Sequence, residues 1–219
     1  MSRYDYDLVA PVYDGAAAFY SWGAIRRSKR AAVAHVGPRD RVLFLGSGSG
    51  WDAVRAARRG ADVTCLDVSH RMIEKARKRF ERAQVDGTFA VEAMADHEPA
   101  TPYDIVFANY FFNLFDPTAM RAHLEDAIRL IRPGGLLVIA DVAPPTGTAP
   151  VRLAKRAYLQ GGLAMFRALG LVSWHPVNDY AATVRELGLP LTLIERDDVA
   201  LFRGGPVLFQ TLAFRKDGE

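Results

Sequence analysis

The sequence has little of what marks an exported, membrane-spanning or nucleic-acid-binding protein. Its single cysteine, Cys65, excludes a disulfide framework, so we expect a reducing, cytoplasmic location. No apolar run approaches the roughly 18 residues of a transmembrane helix, and the first residues lack a basic start and an apolar centre. A net charge of +3 is too small to indicate nucleic-acid binding, so we predict no such partner.

What the sequence does contain is an alternation of short apolar runs with helical patterns, within 219 residues of which half are hydrophobic. The apolar runs are continuous, as expected of parallel strands covered by helices on both faces. We therefore predict an α/β fold, with a doubly wound, mostly parallel, seven-stranded, Rossmann-like sheet and an antiparallel C-terminal strand. The predicted strands are 41–46, 61–68, 88–93, 103–110, 135–142, 191–196 and 206–214, and the predicted helices are 51–59, 70–83, 118–131, 151–171 and 177–187.

The chain length favours one domain with four parts. These are an N-terminal helical lid (1–40), a cofactor-binding core (41–142), a substrate-covering helical insertion (143–190) and a C-terminal hairpin (191–219). Segment 144–150 is predicted to be a loop, and Pro133-Gly134-Gly135 is predicted to end the preceding helix. Residues 197–205 are the whole connection between the last two strands, which can therefore pair as antiparallel neighbours.

A glycine-rich turn lies directly after the first strand and directly before a helix. Its residues are Gly46, Ser47, Gly48, Ser49 and Gly50. Glycine allows a sharp turn and close contact between a ligand and the backbone, and the following helix begins with unpaired N–H groups. The second strand ends at Asp67, 21 residues after Gly46, where a carboxylate can accept both hydroxyls of a ribose. The pattern predicts a nucleotide-like cofactor.

The spacing of the glycines distinguishes between such cofactors. Dinucleotide-binding folds favour G-x-G-x-x-G, whereas the third glycine here is Gly50 and the bulky Trp51 follows it. A pyrophosphate would be crowded by Trp51, so an NAD-dependent oxidoreductase is only an alternative interpretation.

The turn and the acid after the second strand resemble class I S-adenosylmethionine-dependent methyltransferases. The segments YDLVAPVYD (6–14), YDIVFANYFFNLFD (103–116) and LIRPGGLLVIAD (130–141) resemble the quinone and phosphatidylethanolamine N-methyltransferase group. The resemblance covers about residues 4–142 and implies S-adenosylmethionine as cofactor. It implies that the turn contacts the methionine part, Asp67 the ribose, and Met94 with Ala95 the adenine. It also implies contact of Tyr13, with Tyr4, to the methionine end, and aromatic packing on the sheet edge is the equal alternative for these tyrosines. The full predicted cofactor-binding set is Tyr13, Gly46, Ser47, Gly48, Gly50, Asp52, Asp67, Val68, Met94, Ala95, Asn109 and Tyr110.

Two positions depart from that family. An acidic residue is usual where this chain has Phe44, and another is usual where it has Met94. Asp52 either supplies a replacement carboxylate for the ammonium group of the cofactor or is an ordinary first-turn helix acid. The same departures leave open an inactive, cofactor-binding regulator.

Methyl transfer from a sulfonium mainly requires alignment and a nucleophile stripped of its proton and water. The site is expected beyond the carboxyl ends of the strands, at the switch point between the first and fourth strands. Asn113 is a candidate for orienting a lone pair there, His175 is a candidate base, and Tyr13 is the third catalytic candidate. The substrate-binding candidates are Tyr4, Phe112, Tyr158 and His175, with core packing as the alternative for Phe112. The histidines lack metal-ligand spacing, so no metal is predicted.

The predicted helix 151–171 combines apolar bulk with Arg152, Lys155 and Arg156. This pattern suits either an ordinary lid or the binding of an amphiphile with an anionic headgroup, and it suggests peripheral contact with an anionic membrane. The substrate is thus expected to be a small or membrane-surface molecule. N-methylation of a phospholipid amine headgroup (phosphatidylethanolamine) is placed slightly ahead of C- or O-methylation of a quinone or phenolic metabolite.

Overall fold

The computed structural model describes residues 21–168 and 176–218. In chain order the elements are α1 (Ala24–Val33), β1 (Arg41–Leu45), α2 (Trp51–Ala57), β2 (Asp62–Asp67), α3 (His70–Ala83), β3 (Thr88–Val91), β4 (Tyr103–Asn109), α4 (Pro117–Arg129), β5 (Ile131–Val142), α5 (Ala149–Ala168), α6 (Tyr180–Glu186), β6 (Leu191–Ala200) and β7 (Val207–Lys216). Short 3₁₀ turns occupy Met94–Asp96 and Phe112–Leu114.

The strands form one seven-stranded sheet in the order β3-β2-β1-β4-β5-β7-β6. The first five are parallel, and β7 runs antiparallel to both β5 and β6. The predicted fold class is confirmed. Because the strand order reverses between β1 and β4, the carboxyl ends of these two strands flank the crevice in which such sheets bind ligands.

Helices cover both faces of the sheet and enclose a core on each. The apolar sides of α1, α2 and α3 pack on one face around Phe44, Cys65 and Phe107. Those of α4 and α6 pack on the other face around Leu43, Val106 and Leu137. Two of these helices begin at side-chain caps: Ser69 accepts a hydrogen bond from the backbone of Met72, and Asp116 accepts two from the first turn of α4.

The prediction was wrong about the start of β5. Helix α4 ends at Arg129 and β5 begins at Ile131, so Pro133-Gly134-Gly135 does not end the helix. These three residues instead lie where the pairing shifts from Tyr103 with Ile131 to Ile105 with Leu136, an irregularity that a proline without an N–H can occupy. Segment 144–150 is not entirely loop either, because α5 begins at Ala149 and a first helical turn tolerates proline.

The hairpin is longer than predicted. Strand β6 continues through Arg196, Asp197 and Asp198 to Ala200, and only residues 201–206 connect it to β7. Strand β6 is an edge strand, and residues 192–198 are exposed on both of its faces, so charged side chains do not end it. Helix α6 is shorter than predicted and begins after the Asp179 cap. No helix in the two described ranges is both long and apolar enough to cross a bilayer.

Candidate functional site

The glycine turn leaves β1 in a backbone conformation that side-chain-bearing residues rarely adopt. The φ angles of Gly46, Gly48 and Gly50 are +54°, +54° and +70°. A Cβ at Gly46 would lie 2.6 Å from the ring of Phe111, and one at Gly50 would lie 2.9 Å from the Cβ of Ala76 in α3. A Cβ at Gly48 would meet no atom of the described residues within 4 Å. Gly46 and Gly50 thus allow close packing, whereas Gly48 borders space that the described residues leave open.

Asp67 fixes the shape of this turn from the end of the neighbouring strand β2. Its Oδ2 accepts a hydrogen bond of 2.8 Å from the backbone of Gly48, and its Oδ1 accepts one of 2.9 Å from Ser69. Each carboxylate oxygen has a second lone pair. The partly exposed carboxylate can therefore hold the turn and still accept ribose hydroxyls, the role that the sequence predicts for it.

Asp52 forms a polar cluster at the floor of the crevice between β1 and β4. Its carboxylate is almost fully buried, and its Oδ2 accepts a hydrogen bond of 2.6 Å from Nδ2 of Asn109. The same oxygen lies 3.4 Å from Nζ of Lys29 in α1. The Oδ1 atom of Asn109 is buried and has no hydrogen-bond partner among the described residues. Asp52 is thus no ordinary surface acid, although its contact with the cofactor stays a prediction.

Phe44 and Trp51, the two bulky residues near the turn, each pack against other side chains. The ring of Phe44 stacks on Phe107 at 4.6 Å inside the core. The ring of Trp51 lies beneath the guanidinium groups of Arg26, Arg30 and Arg55, at 5.2–5.8 Å. Among the described residues no atom, of Trp51 or any other side chain, lies within 4 Å of a Cβ at Gly48, so crowding of a pyrophosphate by Trp51 finds no support at that position.

Tyr110, the residue after β4, is held in a left-handed backbone conformation with φ +56°. Its backbone N–H donates to Ala140, and its hydroxyl lies 2.8 Å from Oγ of Ser28 in α1. A tyrosine in this region costs on the order of 1 kcal/mol or more, and such strain persists where neighbours enforce it, often at functional sites. These two bonds fix the direction in which the chain leaves β4 at the crevice.

The remaining predicted site residues differ in how far they are buried, and three of them are not described. Met94 is buried in the core, whereas Ala95 and Val68 are exposed. Tyr158 is partly buried against a small cluster formed by α1, α5 and the hairpin. Tyr4, Tyr13 and His175 lie outside the described residues.

Phe112 is fully buried and packs against Tyr180, so its ring is not available to a substrate in this structure. This placement favours the core-packing interpretation of Phe112. The partly buried Phe111 is the aromatic residue that faces the turn, with Phe115 and His123 beyond it. Burial lowers the pKa of His123, which keeps its ring neutral at pH 7.

Sequence reasoning missed a buried pair beneath this edge of the sheet. Asp141, near the end of β5, is fully buried and accepts a 2.6 Å hydrogen bond from the hydroxyl of Tyr180. It also accepts hydrogen bonds from the backbones of Val142 and Asn113. Asp141 therefore anchors the segment that carries the catalytic candidate Asn113. The signal available was an acid after a buried strand, as at Asp67; nothing in the sequence pointed to Tyr180.

We expect the free energy of unfolding to depend on pH through Asp141. Burial raises its pKa from an ordinary 3.8 to about 7. Between these two values the unfolded chain has lost the proton that the folded chain keeps, so stability falls as pH rises from about 4 to 7. The slope is at most about 1.4 kcal/mol per pH unit. Urea titrations at several pH values should show this fall, and Asp141→Asn should flatten it; an unchanged slope in the variant would contradict the assignment.

The described residues include no group of three or more His, Cys, Asp or Glu side chains placed to hold a metal ion. The same residues fit a nucleoside carrying an amino-acid group. They offer open space at Gly48, a carboxylate at the ribose position, and a buried carboxylate beside the partnerless Asn109 Oδ1. S-adenosylmethionine has both parts.

Comparisons with known proteins identify the family. Residues 42–135 match the family model described as "Methyltransferase domain". A demethylmenaquinone methyltransferase of Renibacterium salmoninarum is 33% identical over 160 residues, covering 72% of this chain and 65% of that protein. One from Mycobacterium sp. strain KMS is 32% identical over 166 residues, covering 75% and 69%.

The fold agrees with this match. The chain resembles the crystal structure of a didemethyltoxoflavin N1-methyltransferase from Burkholderia thailandensis, solved with S-adenosylhomocysteine, at a TM-score of 0.68 and 19% identity. The match covers 96% of this chain and 86% of that one. The match to the methyltransferase relatives sets the NAD-dependent alternative aside. The chain belongs to the class I S-adenosylmethionine-dependent methyltransferases, and it is an enzyme of that family.

Proposed function

We propose that this methyltransferase acts on a ring carbon of a reduced quinone-type acceptor. The observation that carries this proposal is the shared name of the relatives, which are demethylmenaquinone methyltransferases at 32–33% identity. The relatives favour this alternative over the phospholipid amine that the sequence placed slightly ahead. The match spans just under two thirds of the Renibacterium protein, so the acceptor is inferred from the shared part of the chain.

The aromatic residues after β4 support a flat acceptor. Phe111 lies directly against Gly46, and its ring centroid is 5.3 Å from that of Phe115. An aromatic face beside the glycine turn can stack on a quinone ring and hold it near the cofactor. The arrangement requires glycine at position 46, because any Cβ would displace Phe111.

Methyl transfer depends more on the alignment of the reactants than on a dedicated catalytic group. Held by Asp52, Asp67 and the glycine turn, S-adenosylmethionine would supply an electrophilic methyl group to the ring carbon of the acceptor and would keep the electron pair of the broken sulfur–carbon bond on its sulfur. The proton displaced from the ring carbon would pass to water. Asn113, whose backbone N–H donates to Asp141, is proposed to orient an acceptor hydroxyl. Asp52 and Asp67 are proposed to bind the ammonium group and the ribose.

We further propose that the acceptor is reached at an anionic membrane surface. Trp22 and Phe202 are 74% and 53% exposed. They belong to one patch, because the Arg27 guanidinium donates to the carbonyls of Trp22, Ala200 and Leu201. The exposed Arg203 follows Phe202 in the chain and adds a second cation beside Arg27. Aromatic side chains beside cations are typical of interfacial binding to anionic lipid.

One experiment tests both proposals. The full chain is supplied with S-adenosylmethionine carrying a labelled methyl group, and with vesicles that contain phosphatidylethanolamine and a chemically reduced demethylmenaquinone. Label in the quinone, at a higher rate in phosphatidylglycerol-rich than in phosphatidylcholine-rich vesicles, is expected. Label in phosphatidylethanolamine, or in neither lipid, would contradict the acceptor. Equal rates in both vesicle types would contradict the membrane contact alone.

A further inference from the structure

The crevice between β1 and β4 contains two opposite charges that methyl transfer does not require. Asp52 and Lys29 lie 3.4 Å apart, with 4% and 23% of their side chains exposed. Lys29 belongs to α1 and Asp52 to α2, so two separate helices bring this pair to the switch point of the sheet. A charge pair removed from water costs desolvation, which makes its position at the crevice worth explaining.

Lys29 differs from the other cations of α1. The guanidinium groups of Arg26 and Arg30 lie over Trp51, and that of Arg27 is bonded to backbone carbonyls. Only the Lys29 ammonium, among these four cations, is directed at Asp52, and it lies 6.0 Å from the ring of Tyr110. Lysine carries a compact charge on a flexible stem, so its head can move by a few ångströms without moving the helix.

We propose that Lys29 binds the carboxylate of the cofactor's amino-acid end. The ammonium group of the cofactor then lies between the Asp52 carboxylate and Asn109 Oδ1, the buried acceptor with no partner among the described residues. A zwitterion presents a charge complementary to each member of the pair. Binding therefore exchanges one internal ion pair for two intermolecular ones, and no buried charge is left unpaired. The inference is independent of the acceptor proposed above.

The test removes the charge from the protein and from the ligand in turn. Calorimetry measures binding of S-adenosylmethionine and of its decarboxylated form, which keeps the ammonium group, to wild type and to Lys29→Met. We expect wild type to prefer the carboxylated ligand by about 10–100-fold, the worth of one hydrogen-bonded charge. In Lys29→Met the carboxylated ligand should weaken by a similar factor while the decarboxylated one binds as before or tighter, so the preference disappears.

Two further variants separate this role from a structural one. Lys29→Arg keeps the charge and should retain most of the preference. Arg30→Met removes a neighbouring cation of the same helix and should leave both affinities unchanged. Equal losses for both ligands in Lys29→Met, or a preference that survives in it, would overturn the proposal. Thermal unfolding of each variant shows whether it is folded. If Lys29→Met does not fold, equal affinity of wild type for the two ligands would still overturn the proposal.

Discussion

Gly48→Ala is expected to abolish measurable cofactor binding while leaving the protein folded. The φ of +54° makes alanine unfavourable by about 1–2 kcal/mol, but the new methyl group would meet no atom within 4 Å in the part of the chain that the structure describes. It would instead project into the open space that we assign to the cofactor. Calorimetry with S-adenosylhomocysteine should show a loss of about 100-fold or more, since 1.4 kcal/mol corresponds to a factor of ten.

Gly50→Ala is the matched comparison, and it should lower the stability of the fold, which Gly48→Ala should largely preserve. A Cβ there lies 2.9 Å from the Cβ and 3.1 Å from the Cα of Ala76, so α2 and α3 would be pushed apart. Because this close contact adds to the strain of alanine at a φ of +70°, we expect a loss of about 2–4 kcal/mol in the free energy of unfolding. If Gly48→Ala binds S-adenosylhomocysteine normally, or destabilises the fold more than Gly50→Ala does, the assignment of the open space is wrong.

Asp67→Asn should weaken binding of S-adenosylhomocysteine by roughly 30–100-fold, as expected for charge-assisted hydrogen bonds. The amide replaces one acceptor oxygen with a donor, so it cannot accept from Gly48 and Ser69 and also from both ribose hydroxyls. Unfolding should become easier by about 1–3 kcal/mol because one backbone N–H loses its partner.

Asp62→Asn provides the control, because Asp62 begins the same strand at its opposite end and is exposed. Its carboxylate lies 3.9 Å from Nε of Arg41, which is a weak surface contact. Both affinity and stability should remain close to those of wild type. If the Asp67→Asn variant binds S-adenosylhomocysteine as tightly as the Asp62→Asn variant does, Asp67 is not part of the cofactor site.

The fold could be predicted because its determinants are local. Continuous apolar runs identify buried strands, and the helix predicted over 70–83 has the bounds of α3, which Ser69 caps. Errors arose where a local signal had two meanings. Pro133-Gly134-Gly135 can end a helix or occupy an irregular strand, and charged residues can end an edge strand or continue it.

The site was harder to predict than the fold because it depends on distant parts of the chain. Asp52 was recognised, but Lys29 and Asn109 meet it only after α1 and β4 pack on the sheet. Trp51 was interpreted from its bulk, whereas its direction is set by three arginines on two helices. Asp141 and Tyr180 are 39 residues apart, and no spacing rule connects them.

The position of β7 has a consequence for the order in which the molecule can be assembled. Strand β7, the last of the described strands, is not at an edge: it lies between β5 and β6 and pairs with both. During synthesis β6 emerges before the neighbour it requires, and β5 keeps one unpaired side until β7 arrives. The nascent sheet thus has an unfilled gap that the C-terminal residues close. Shortening β7 should therefore impair folding more than shortening β3, although both are single strands.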